Sequence, residues 1–414
     1  MAGTFGDGEG SLQGIVVIEI GTSVAAPFAT EILADLGAAV VKVERPEVGD
    51  DSRSWRPPTW GDTSVIYQVL NHGKESIALD FREPEGAAVL WDLIRRADVL
   101  VQNLRPGALA KAGFTAAAIR EANPRLIFCD LTGFGPKGPR AGQPAYDPLL
   151  QAYSGIVSVT GEDGGSPSRV PVSVLDMGTG MWVALATLEA LRRRDLTGTG
   201  SHVELSLLQT ALMWMAPQLL TVHSGGPAPR RLGSGFGSVV PYGAFPASDG
   251  FIFVSAGNDA AWERLLTALE VPEADEIRSF TTIAERVGAR EHVNELFGAV
   301  TSRFTVAEIE RRLVEAAVPN SPVNEVPQVL ADEQVRALEQ IVGVEHPELD
   351  DFAVVRIPMT FDGIYPDGSL RPPPALGQDT TAVLERLGYG PDRIAELVSK
   401  GVVAPSADER ERVE

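Results

Sequence analysis

Between residues 12 and 196 short apolar runs alternate with stretches of helical periodicity, and few folds accept that alternation. The runs at 15–20, 39–43, 99–101 and 126–131 are dominated by Val, Ile and Leu, as strands buried on both faces of a parallel sheet would be. The intervening stretches 26–36, 84–95 and 116–122 read as crossover helices, with Pro84 at a helix start and Asn123-Pro124 as a stop. The first half is therefore expected to be α/β, a large Rossmann-like domain on a parallel sheet.

A chain of 414 residues exceeds one ordinary core, so a second domain is expected. Residues 224–243 are rich in Gly, Ser and Pro without apolar periodicity and read as a linker or loop. Residues 245–322 then read as a smaller α/β unit. Trp262, Leu265, Leu266 and Leu269 share one helical face there, and Thr305 with Glu308 forms a capping box ahead of Ile309 and Leu313. The apolar stretch 205–220 contains Ser206, Gln209, Thr210, Pro217 and Gln218, so it reads as a buried helix broken near Pro217 and not as a membrane span.

A net charge of −21 repels phosphate-rich surfaces, which argues against nucleic acid or an anionic membrane as partner. An anionic ligand would have to find local basic groups. Cys129 is the only cysteine, so an intramolecular disulfide is impossible and a Cys-based zinc site is not expected; a reducing cytoplasm fits, as does an acidic, glycine-rich start unlike a secretory signal.

The common catalytic signatures fail. The first strand-to-helix turn, Gly21-Thr22-Ser23-Val24-Ala25, lacks the three spaced glycines of a dinucleotide site. Gly133, Gly135 and Gly138 match GxGxxG by spacing, but Pro136, Pro139, Pro144 and Pro148 offer no helix start to a phosphate. No serine lies in GxSxG, and His72, His202, His223, His292 and His346 are scattered without ligand spacing. Carboxylates and hydroxyls are left as the candidate catalytic groups.

Several segments taken together carry more. They are LQGIVVIEIGTSVAAPFATEILADLGAAVVKVERPEVGDDSR, NHGKESIALDFREPEG, ADVLVQNLRPGALAKAGF, NPRLIFCDLTGFGPKGP, PAYDPLLQAYSG and VSVLDMGTGMWVALATLEALRRRDLTGTGSHVELSL, followed later by VPNSPVNEV and PPPALGQDT. In order and spacing this chain resembles the family III CoA-transferases of CaiB/BaiF type, a group that also holds the α-methylacyl-CoA racemases. The resemblance implies a large CoA-binding domain begun by residues 1–223, a linker and small domain at 224–325, a C-terminal return at 326–414, and an interlocked homodimer.

It also implies chemistry. Asp176 of VLDMGTG would be the nucleophile that attacks a thioester carbonyl; read from residue preference alone, Asp176 is a helix N-cap before residues 177–194. Gly178 and Gly180 then suggest close approach of a ligand to the backbone, and amides near Gly178 and in the 233–237 loop are candidate oxyanion donors. By similarity to the formyl-CoA transferases, Val24, Ala25, Arg45, Leu79, Asp80, Phe81, Arg82, Asn103, Leu104, Arg105 and Lys111 fall on CoA-contacting positions. Lys111 replaces an arginine there, which a phosphate accepts with loss of bidentate geometry; Val24 replaces a glutamine and Pro144 a lysine, which disfavours formate or oxalate. Acyl-CoA and a small carboxylic acid are the implied substrates, with succinyl-CoA the preferred donor, and no metal or redox cofactor is implied.

The racemase branch carries a histidine where this chain has Tyr146, and a phenol is a poor base near neutral pH. That favours CoA transfer over α-carbon epimerisation, with Asp147 alone supplying a base for one face. Tyr146 is then expected to donate to the substrate or to pack. A non-catalytic CoA-binding subunit of a heteromer is the remaining alternative. Trp55, Trp60, Phe236 and Tyr242 are candidates for an acceptor pocket.

Overall fold

The computed structural model describes residues 10–366, 368 and 370–406. Its largest sheet contains six parallel strands: β1 (Val16–Ile20), β2 (Ala39–Glu44), β3 (Glu75–Leu79), β4 (Val99–Gln102), β5 (Ile127–Thr132) and β6 (His202–Ser206). The order across the sheet is 3-2-1-4-5-6, and the short strand Val403–Ala404 adds antiparallel to β3 at the edge. This is the doubly wound order, so the chain reverses its direction of winding between β1 and β4. Strands β3 and β6 were not expected. ESIAL and HVELS each mix polar with apolar residues and fall outside the buried-run pattern.

Alternate residues of each strand feed two cores, one on each face. On one face Val17, Val40, Val101 and Cys129 pack with helix α1 (Ala25–Asp35). On the other, Ile18, Val41, Ile77 and Leu100 pack with α2 (Pro84–Arg96), and Ile119 of α3 (Ala116–Ala122) completes that layer. After β5 come α4 (Asp147–Tyr153) and the long helix α5 (Val174–Thr197), and β6 leads into α6 (Leu207–Trp214). Helix α5 is long and apolar enough to cross a membrane by composition, yet half of that stretch is buried, with Val183, Ala184, Ala190 and Leu191 in the first core.

Gly178 and Gly180 have a packing role. A Cβ on Gly180 would lie 2.8 Å from the Ala25 carbonyl oxygen and 3.0 Å from Phe28, and one on Gly178 would lie 2.3 Å from the Trp214 ring. The glycines let α5 approach α1 and α6; the expectation that they admit a ligand gives way to this contact. Gly180→Ala is accordingly expected to destabilise the fold by about 1–3 kcal/mol, read as a lowered urea midpoint with unchanged m-value, because backbone cannot yield as a side-chain tip can.

By internal contacts the chain divides into two units, 1–154 with 171–216 and 338–414, and 155–170 with 217–337. Residues 155–170 thus belong with the second unit and not with the segment 1–223. The reason is local: the Gly161 carbonyl accepts the Gly233 amide, while Arg230 pairs with Asp163 and Arg231 donates to the Glu162 carbonyl. The second unit holds an antiparallel sheet of β7 (Tyr242–Pro246), β8 (Phe251–Ser255) and β9 (Asn320–Pro322). Its core contains Trp262, Leu265, Leu266 and Leu269, and the Thr305 capping box is formed. The 205–220 stretch does break, at Met215, but Met213, Trp214 and Leu220 are exposed on this chain and not buried.

Candidate active site

In a doubly wound sheet ligands bind outside the carboxyl ends of the strands where the winding reverses. A cleft of about 710 Å³ opens there. Its walls are the segments that follow the strands: residues 21–23 after β1, Arg45 after β2, Asp80 to Arg82 after β3, Asn103 to Pro106 after β4, Gly133 after β5 and Leu207 after β6. Asp176 and Tyr146 line the same cleft. Of the residues placed on CoA-contacting positions, all reach it except Val24, which is buried beneath the wall, and Lys111, which lies at the end of the short helix Ala108–Lys111.

Asp176 is not an N-cap. Ser173 occupies that position without a side-chain bond, and Asp176 is the third residue of α5. The cap comes from elsewhere: Asp147 Oδ2 accepts the amides of Leu175 at 2.6 Å and Asp176 at 3.2 Å, while its Oδ1 accepts Gln151 Nε2 at 2.5 Å. Asp147 is buried and leads α4, so packing of α4 on α5 brings the cap to the helix start. Burial, and after it the Asp147 carboxylate, push the Asp176 carboxyl up to about 7. The positive end of a 24-residue helix acts the other way and favours the anion.

The amides proposed as oxyanion donors are largely committed. Gly178 lies inside α5, where helix bonding takes its N–H, and the Gly233 and Gly235 amides donate to the Gly161 and Leu232 carbonyls. Of the aromatic candidates only Trp55 lines the cleft; Trp60 packs on Phe352, and Phe236 pairs with Tyr242 in the second unit. Gly135 and Gly138 have φ near +90° in a loop, a plain turn.

The cations fall into two classes. Arg45 donates to Asp51 at 2.5 Å and to the Gly49 carbonyl, and Arg82 to Asp80 at 2.6 Å. Arg105 and Lys111 have no side-chain partner among the described residues and are exposed. Asn103 is a clamp for the cleft wall, since its Oδ1 accepts the Thr22 amide and its Nδ2 donates to the Thr22 carbonyl.

Beneath that wall runs a buried ion chain that sequence reading missed. Lys42 Nζ meets Glu19 Oε1 at 2.5 Å and Asp50 Oδ2 at 2.7 Å, Lys74 meets Glu19 Oε2 at 2.9 Å, and Arg53 meets Glu44 at 2.8 Å. Burial alone would discharge these groups, but Asp50, Glu19 and Glu44 hold the Lys42 ammonium raised, and Lys42 with Lys74 holds Glu19 lowered. The available signal was Lys42 itself, a cation inside the strand AVVKVE, which a buried strand tolerates only with partners.

With this geometry in view, the chain matches the profile of CoA-transferase family III over residues 12–380. It belongs to that family. Among its relatives, the succinate–glutarate CoA-transferase of Agrobacterium fabrum is 35% identical, covering 91% of this chain and 95% of the relative. The human succinyl-CoA:glutarate CoA-transferase is 34% identical, covering 95% and 90%. A solved CaiB/BaiF family protein from Brucella suis matches with TM-score 0.82 at 32% identity, covering 91% of this chain and 99% of that one. This family III protein is thus an acyl-CoA:carboxylate CoA-transferase, with the α/β architecture expected of one.

Proposed function

We propose that this transferase moves CoA from succinyl-CoA to a free dicarboxylic acid, with Asp176 as covalent nucleophile. The observation that carries the reading is the placement of Asp176 in one cleft with Ala25, Arg45, Arg105 and the 79–82 segment. The Asp176 carboxylate attacks the donor thioester carbonyl, the C–S bond breaks, and a mixed anhydride and CoA thiolate result. The thiolate attacks the aspartyl carbonyl, releasing free succinate and leaving an aspartyl-CoA thioester. The acceptor carboxylate then attacks that thioester, and the returning thiolate cleaves the second anhydride on the acceptor side, which regenerates Asp176. No net redox change occurs, and the sequence calls for no metal or redox cofactor. Arg105 and Lys111, without side-chain partners among the described residues, are the proposed phosphate contacts, while Arg45 and Arg82 exchange their carboxylates for phosphate.

The dicarboxylate acceptor rests on relatives whose names include glutarate, citramalate and mesaconate. An interlocked homodimer is part of the proposal. Met181, Leu185 and Met213 are each more than half exposed on α5 and α6, an apolar surface that a second copy would cover. The buried single thiol, pushed up to about 11 by burial, suits a reducing cytoplasm. The test is an exchange assay by mass spectrometry, offering succinyl-CoA with glutarate, mesaconate, oxalate and monocarboxylates. Dicarboxylyl-CoA formation is expected; transfer only to monocarboxylates, or epimerisation of a 2-methylacyl-CoA without exchange, would overturn the reading.

A further inference from the structure

Ser23 has φ +72°, a left-handed conformation that a serine adopts only under restraint. It lines the cleft, at the turn that joins β1 to α1. The restraint is visible. Asp50 Oδ1 accepts the Ser23 amide at 2.9 Å, and the same oxygen accepts the Ser52 amide and hydroxyl at 2.8 Å each. Asp50 is itself fixed: its own amide donates to Glu44, and its Oδ2 pairs with Lys42, which also donates to the Gly21 carbonyl at 3.1 Å. The turn is therefore tied from below at Gly21 and Ser23, and from the side at Thr22 by Asn103.

We propose that Asp50 is a positioning residue for acyl-CoA binding: by holding Ser23 in the left-handed region it sets the 21–25 wall of the cleft against which CoA lies. Asp50 borders the cleft but is almost wholly buried, and its oxygens are taken by Ser23, Ser52 and Lys42. Its effect runs through the backbone of Ser23, and so through the first turn of α1, where the Phe28 amide donates to the Val24 carbonyl at 2.8 Å. The inference rests on CoA occupying this cleft, as proposed above. A strained backbone at a functional site persists only where its surroundings over-determine it, and here each determining contact is identified.

Glycine adopts φ +72° without restraint, so Ser23→Gly replaces what Asp50 supplies to the turn but nothing of what Asp50 supplies to the buried ion chain. This separates positioning from folding. Asp50→Ala is expected to raise KM for succinyl-CoA about tenfold and to speed hydrogen exchange of the Phe28 amide. Adding Ser23→Gly is expected to recover most of both, relative to Ser23→Gly alone, while the fall in Tm from the broken ion chain remains. Asp50→Asn, which keeps the volume and a weaker neutral acceptor, serves if Asp50→Ala does not fold; about threefold in KM, again recovered by Ser23→Gly, is expected. KM and exchange unchanged in the variant that folds, or a change that Ser23→Gly does not relieve, would overturn the proposal. Absence of turnover in the unsubstituted enzyme would instead count against the functional reading, and Phe28 exchange would still judge the role of Asp50.

Discussion

Asp176→Asn is expected to abolish CoA exchange, by on the order of 10⁴-fold or more in kcat, while the protein remains folded and becomes more stable above neutral pH. The loss follows from chemistry, since an amide cannot form the anhydride, and removing a covalent nucleophile removes the pathway. The stability gain follows from burial. The carboxyl is raised from near 3.8 to about 7 in the folded protein, so the native state binds that proton more tightly than the unfolded chain. Its contribution is fully present below about pH 4 and is lost as pH rises through 7. Above pH 7 the folded protein holds a partly buried anion that the asparagine lacks, and Tm of the variant should exceed the parent's by a few degrees. For the parent, kcat/KM should rise with pH through about 7 as the nucleophile ionises. Turnover retained by Asp176→Asn, or no adduct on the Asp176 peptide after incubation with acyl-CoA, counts against the covalent route.

Asp147 should show the next largest effect, divided between two substitutions. Asp147→Asn can keep one oxygen on the Leu175 and Asp176 amides and turn its amide toward a reoriented Gln151, so the cap survives and the charge is lost. The acid limb of the kcat/KM profile should then shift to lower pH, because one of the two influences that raise Asp176 is gone. Asp147→Ala removes the cap as well. One buried and one partly buried amide lose their acceptor, at about 1–2 kcal/mol of stability, and the first turn of α5 that carries Asp176 is released. A displaced nucleophile should lower kcat by about a hundredfold, with KM for acyl-CoA changed much less. Equal pH profiles for the parent and Asp147→Asn would show that the Asp147 charge has no influence on Asp176.

The stability of this arrangement is distributed unevenly. The ion chain through Glu19, Lys42, Asp50 and Lys74 is wholly buried, and breaking such a pair by removing one member costs about 3–5 kcal/mol. An apolar core could replace it at little loss. What such a core could not supply is the acceptor on Ser23 and the donor on Gly21 that shape the cleft wall.

The chain's local patterns were enough to establish four of the six parallel strands, the helices α1, α2 and α3 to within a residue or two, and the small unit's capped and buried helices. Those features depend on periodicity, capping residues and apolar runs, which are properties of neighbours in sequence. The resemblance pointed to Asp176 and to the cleft residues, most of which converge because they follow the carboxyl ends of strands in one sheet, while Asp176 is brought in by the start of α5. What tertiary structure alone decided lies at long separation. Asp147 caps a helix 28 residues onward, Asp50 holds a serine 27 residues earlier, and the glycines of α5 answer to the backbone of α1. Sequence could show that Lys42 needs carboxylates and that a helix start needs an acceptor. Which carboxylate meets each need depends on how the layers pack, and that is fixed only when the two cores close on the sheet.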